Sequence, residues 1–168
     1  MAPAEPGHDD ALVIRVTRPH EVRAAAVRAV PPGAGGWKLR EALVELLQNA
    51  IEHGNLGFSG RDKQQLMAEG TWEAALQARL ADPAYAGKGV LLLRERYASG
   101  WRFAIQDGGG GFDGQVVRRP ECSGETTPCG RGIRLAEALI GVSIQAFPGG
   151  GGVHFLLNDA HVSGRNPP

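Results

Sequence analysis

Two runs of four glycines, Gly108 to Gly111 and Gly149 to Gly152, constrain this chain more than any other feature. Neither run suits the interior of a helix or a strand. Consecutive glycines lose the most backbone freedom on ordering and bring no side chain to a core. Each run must mark backbone that turns, or that passes close to something. The 25 glycines are not periodic, so a collagen-like chain is excluded. The second run lies between two apolar stretches, Val142 to Phe147 and Val153 to Asn158, and reads as the turn of a hairpin. No side chain there offers a ligand group.

The first run also follows a strand-like segment. Val90 to Tyr97 and Trp101 to Asp107 read as two strands around the tight Ala98-Ser-Gly100 turn, which predicts a hairpin. Upstream, Ala11 to Thr17 predicts a strand, and His20 to Val30 a helix stopped by Pro31-Pro32-Gly33. From Trp37 to His53, Leu39, Leu43, Leu46, Leu47 and Ala50 keep helical spacing, with Gly54 expected as the terminating glycine. Asn55 to Arg61 reads as a turn-rich link. Lys63 to Arg79 is helical in composition with a break at Gly70-Thr71, and Pro83 to Gly89 is a loop. Val116 to Pro128 keeps no period and reads as a long loop. Gly132 to Ile140 predicts a helix with Ile133, Ala136 and Ile140 on one face. Helices first and hairpins later predict an α+β domain, with helices packed on one face of a mixed, mostly antiparallel sheet. At 168 residues the chain has the length of one domain, expected over residues 11–160 between flexible tails at 1–10 and 161–168.

Charge narrows the partners. Eighteen Lys and Arg balance eighteen Asp and Glu. Direct nucleic-acid binding through phosphate neutralisation needs a basic surplus and is not expected. No apolar run approaches about 18 residues, and the first ten residues lack a basic start followed by an apolar stretch. Neither a membrane span nor a signal peptide is expected, and a cytoplasmic setting follows. Cys122 and Cys129 have no metal or redox spacing. Trp37, Trp72 and Trp101 read as packing or interface residues.

Three groups of residues can carry chemistry. Glu45 and Asn49 lie one helical turn apart, at the border of the apolar stripe. An amide oxygen suits Mg²⁺, and a carboxylate one turn away can accept a proton or orient a hydroxyl; an ordinary exposed polar pair has the same spacing. Asp107 ends a strand and precedes the glycine run. Such a carboxylate can accept a hydrogen bond from an exocyclic amine, while the glycines let backbone lie against a flat ring; a long hairpin exit would also use glycine. Gly130-Arg131-Gly132-Ile133 opens a helix, where unpaired N–H groups and the dipole favour phosphate and Arg131 adds a forked donor. A plain helix start after a loop is the alternative. Gly109, Gly111 and Gly114 match a dinucleotide fingerprint, but Arg118, Arg119 and Pro120 interrupt the helix it requires, and Arg134 stands where an acid belongs.

The order of the three groups carries more information than any one of them. A helix with Glu-x-x-x-Asn, then a strand ending in Asp-x-Gly-x-Gly, then Gly-x-Gly at a helix start resembles the ATP-binding domain of gyrase, heat-shock-90 chaperones, histidine kinases and mismatch-repair proteins. The resemblance spans about residues 11 to 158. Within that superfamily, Asn49-Ala-Ile-Glu-His53-Gly54 and Gly130-Arg131-Gly132-Ile133 look most like the bacterial anti-sigma factor serine kinases. The resemblance implies a two-layer sandwich of the Bergerat type. It implies ATP and Mg²⁺ as cofactors, with transfer of the γ-phosphate to a serine or threonine of an anti-anti-sigma partner of the sulphate-transporter/anti-sigma-antagonist (STAS) type, and control of transcription by partner switching. By the same carry-over, Glu45 is the catalytic residue and Asn49 the Mg²⁺ ligand. His53 lies near the nucleotide, unless it serves as a cap or in the core. Asp107 takes the adenine amine, Gly109 and Gly111 form the ring-side backbone, and Gly130, Arg131, Gly132 and Ile133 hold phosphates. Residues 59–88 form an inserted helical segment resembling forms of the family joined to response-regulator receivers, so a receiver in cis or in trans is a candidate partner. A sigma factor and a second copy of the chain are others. The alternative reading is an ATP-binding regulatory module that sequesters a sigma factor or antagonist without phosphotransfer.

Overall fold

The computed structural model describes residues 11–32, 36–97, 99–109 and 131–159. Strand β1, Leu12–Val16, turns Ile14 and Val16 inward and leaves Val13 exposed, the alternation of a half-buried strand. A short 3₁₀ turn at Pro19–Glu21 leads into helix α1, Val22–Ala29. The Glu21 carboxylate accepts hydrogen bonds from the Thr17 and Arg18 backbone N–H groups, which hold its pKa below the ordinary value. Helix α2, Trp37–Asn49, buries Leu39, Ala42, Leu43, Val44, Leu46 and Leu47, a wide apolar stripe that makes it the central helix.

Helical winding does not stop at Gly54. It continues from α2 as a π-helical segment, Ala50–Asn55, in which the Leu56 N–H reaches back five residues to the Ile51 carbonyl. Gly54 lies inside this segment. The left-handed glycine comes later, at Gly57 with φ 67°. The wider turn buries Ile51, Glu52, Gly54 and Asn55.

Helices α3, Gly60–Ala68, and α4, Trp72–Ala81, meet at Gly70, whose φ of 70° accounts for the break. Ser59 and Asp62 form a reciprocal capping box at the start of α3. The bond with the Ser59 side chain is the main cause of a lowered Asp62 pKa. The pair is bolted to the link after the π segment. Phe58 meets the edge of Trp72 with ring centroids 5.0 Å apart, and Arg79 Nη1 donates to the Leu56 carbonyl (2.7 Å) and to the Tyr85 hydroxyl (3.0 Å). Lys63 Nζ reaches the Glu52 carboxylate at 2.5 Å, and the Glu52 side chain is only 9% exposed. Lys63→Met would strand that carboxylate in a dry site. We expect a loss of about 1–3 kcal/mol, read as a lower urea midpoint, with Glu52→Gln in the same chain recovering part of it.

Strands β2, Val90–Tyr97, and β3, Gly100–Gln106, form the expected hairpin, with Leu91 opposite Gln106 and Tyr97 opposite Gly100. Helix α5, Arg131–Ile140, buries Ala136 and Ile140 and packs along α2. Gly141, with φ 71°, closes α5, and the Glu137 side chain takes the Ile144 N–H at 2.8 Å. This tie holds the residues just after the helix, so β4 is only Gln145–Ala146, shorter than the expected Val142 to Phe147. Gly149, Gly150 and Gly151 have φ between 79° and 86° and turn the chain into β5, Gly152–Asn158. The second glycine run is therefore a turn, as expected.

The sheet runs β1-β2-β3-β5-β4, and all four pairings are antiparallel. The expectation of a mixed sheet is corrected here. β3 and β4 point the same way, but β5 lies between them, so no parallel pair forms among the described residues. Helices α1, α2 and α5 share one core with Val16, Val90, Leu92, Phe103, Ile105 and Phe155 of the sheet's inner face. The arrangement is α+β, compatible with two layers. On the other face a groove of about 390 Å³ is lined by residues including Val13, Leu91, Leu93, Ala104, Phe147 and His154. Among the described residues, no helix is long and apolar enough to cross a membrane.

Candidate functional site

The site is built along one rail, α2 and its π-helical extension. Glu45 and Asn49, both half-buried, occupy successive turns of α2 at the edge of its apolar stripe. The first turn of α5 sits directly on them. A Cβ on Gly132 would collide with the Asn49 carboxamide nitrogen and with Glu45 Oε1, and would stand 3.1 Å from Asn49 Cγ. A methyl there would have to push these two side-chain ends aside, so glycine is what lets the helix start come this close. Ile133 is half-buried and packs against the core, so its side chain anchors the helix end. Arg131 is exposed at the first position of α5.

Farther along the rail, the exit of β3 lands on the π segment. Asp107 is half-buried, and its backbone N–H donates to the Gly151 carbonyl at 2.9 Å. A Cβ on Gly54 would stand 2.5 Å from Asp107 Cγ, so Gly54 leaves the space that the carboxyl occupies. Asp107 Oδ1 accepts the Gly109 N–H at 3.0 Å. Gly109 itself lies so close to the Gly54 carbonyl that a Cβ there would overlap the oxygen. The Gly108 N–H donates to Asn55 Oδ1 at 2.7 Å.

The structure thus brings Glu45, Asn49 and Gly132 into one cluster and Asp107 and Gly109 into another, joined by one continuous helix. His53 lies between the two in sequence. Its Nδ1 is paired with the Phe58 carbonyl, which ties the ring to the link before α3. Because a carbonyl only accepts, Nδ1 carries the proton there. Gly111 and Gly130 lie outside the described residues, as do Arg118, Arg119, Cys122 and Cys129.

Sequence reasoning missed Asn55, read only as part of a turn-rich link. Its 4% exposure and its bond to Gly108 make it part of the site's frame. It also missed the use of Gly54. The signal available was an asparagine directly after a glycine that interrupts no periodic pattern.

Among the described residues, no group of three or more His, Cys, Asp and Glu could hold a metal ion by itself. Asn49 and Glu45, side by side under Gly132, offer an amide and a carboxylate oxygen one helical turn apart. Mg²⁺ is commonly held by one or two protein oxygens, with phosphate and water completing its octahedron. Comparison with family models, with curated proteins and with solved structures finds no match to this chain.

Proposed function

We propose that this chain is a Bergerat-type ATP-binding domain acting as an anti-sigma factor-type serine/threonine kinase on an anti-anti-sigma partner. One observation carries the reading. Residue groups distant in sequence, each suited to one part of a nucleotide, meet the same helix: Gly132 on Glu45 and Asn49, and Asp107 with Gly109 on Gly54.

The Asp107 carboxylate would accept the exocyclic amine of adenine, with the Gly108–Gly109 backbone beside the ring. The N–H groups at the start of α5 and the Arg131 guanidinium would face the phosphates. Asn49 would hold Mg²⁺, which supplies neutralisation of the β- and γ-phosphate oxygens when bound. Glu45 would orient the partner's hydroxyl and take its proton as the hydroxyl oxygen bonds to the γ-phosphorus. The bond from that phosphorus to the bridging oxygen breaks, and ADP leaves. Such a transfer needs positioning and charge stabilisation more than covalent help from the protein.

Calorimetric and thermal-shift titration with ATP, ADP and GTP, with and without Mg²⁺, tests the binding. Adenine nucleotides are expected to raise the melting temperature, ATP more with Mg²⁺ than without, and GTP to do less. Asn49→Ala is expected to weaken Mg-ATP by about tenfold or more, equivalent to at least about 1.4 kcal/mol. No heat and no melting change with millimolar ATP in a folded preparation would overturn the proposal.

A further inference from the structure

We infer that Asn55 is a positioning residue of the purine subsite, setting adenine selectivity through Gly108. This rests on the nucleotide reading above and assigns a residue that reading does not use. Asn55 is 4% exposed. A buried carboxamide is costly unless its polar atoms are paired, and the partner here is specific. Its Oδ1 accepts the N–H of Gly108, the residue between Asp107 and Gly109.

The two amides after Asp107 are thereby each held by a side-chain oxygen. Asn55 takes that of Gly108, and Asp107 Oδ1 takes that of Gly109 at 3.0 Å. β3 ends at Gln106, and the last tie to the neighbouring strand's lead-in is the Asp107 N–H on the Gly151 carbonyl. Beyond it, the orientation of Gly108 and Gly109 rests on these two bonds and on the close fit against Gly54. With Oδ1 committed to Gly109, Oδ2, which lies against Gly54, is the oxygen left to accept from an adenine amine.

Adenine offers an amine at the position where guanine offers a carbonyl. A fixed acceptor welcomes the first and rejects the second, whereas a loose one discriminates poorly. The π turn is what makes the arrangement possible, since Asn55 is its last residue and is buried against the β3 exit. Lys88 Nζ lies 3.5 Å from the Asn55 carbonyl, so the loop after α4 backs the same residue.

The test compares wild type, Asn55→Ala and Asn55→Asp, the last retaining an acceptor oxygen at the same reach. In nucleotide-free protein, amide exchange by NMR should find Gly108 protected in wild type and Asn55→Asp and unprotected in Asn55→Ala. In titrations, Asn55→Ala should bind ATP about tenfold more weakly with a narrowed ATP-to-GTP preference, and Asn55→Asp should restore most of both. The Michaelis constant for ATP should rise while kcat at saturating ATP stays within about twofold. A purely structural role would lower the folded fraction and leave the ATP-to-GTP ratio of the folded molecules unchanged. Should the alanine chain fail to fold, Asn55→Ser, whose hydroxyl is too short to reach Gly108, gives the same readings. Wild type that binds ATP beside an Asn55→Ala chain of equal affinity and equal preference overturns this inference alone. Wild type that binds no nucleotide overturns the proposed function and this inference with it.

Discussion

Glu45→Gln is expected to lower phosphotransfer to the protein partner by about 10²–10⁴-fold while ATP affinity stays within a few-fold. The amide keeps the length and volume of the carboxylate, so the seat of Gly132 on α2 is preserved. On the proposed mechanism, what disappears is the proton acceptor beside the entering hydroxyl. Glu45 stands one turn from Asn49 and under the first turn of α5, where the γ-phosphate end of a nucleotide would lie. Single-turnover transfer from labelled ATP, run beside calorimetric ATP titration, separates the two effects. Equal losses in transfer and in binding would move Glu45 from catalysis to nucleotide binding. Transfer at the wild-type rate would remove it from the mechanism. Partner capture that persists without transfer in wild type itself would favour the regulatory module that sequesters its partner.

Gly109→Ala should have the largest effect on stability of any single methyl added at the site. Its Cβ would overlap the Gly54 carbonyl oxygen. That obstacle is backbone, within a helical segment, and cannot rotate aside. Either the β3 exit or the π turn must move, at about 1–3 kcal/mol for overpacking a closed contact. The same shift would carry Asp107 away from Gly54, so ATP binding should fall with stability. The neighbouring position is the control. A Cβ on Gly108 would meet nothing nearer than Asn55 Oδ1 at 3.6 Å, an ordinary contact. Gly108→Ala should therefore change stability by no more than about 0.5 kcal/mol. Denaturant midpoints for the two variants check the contrast; equal losses would mean that glycine content, not the Gly54 contact, governs this turn.

The expected local elements were nearly all legible because each rests on short-range chemistry. The spacing of Leu39, Leu43, Leu46 and Leu47 marks α2 and its buried side. The alternating β2–β3 hairpin and the turn at Gly149 to Gly151 could be read in the same way. The shortness of β4 could not. It follows from the Glu137 side chain capturing the Ile144 N–H, a contact made only once α5 is in place. The antiparallel character of the whole sheet depends on β5 settling between β3 and β4, which no local pattern encodes.

The amino-acid sequence by itself determined where the candidate residues lie and in what order: Glu45 and Asn49 on a helix, Asp107 at a strand end, Gly132 at a helix start. Tertiary structure decided that these groups share one rail, that Gly54 lies within a π turn, and that Asn55 holds Gly108. The physical reason is range. Periodicity and capping act over one or two turns of chain, whereas the close approaches at Gly54, Gly109 and Gly132 exist only after the sheet and its helices have packed. Glycine is needed there for the space it leaves to a distant neighbour, and that neighbour is invisible until the chain has folded.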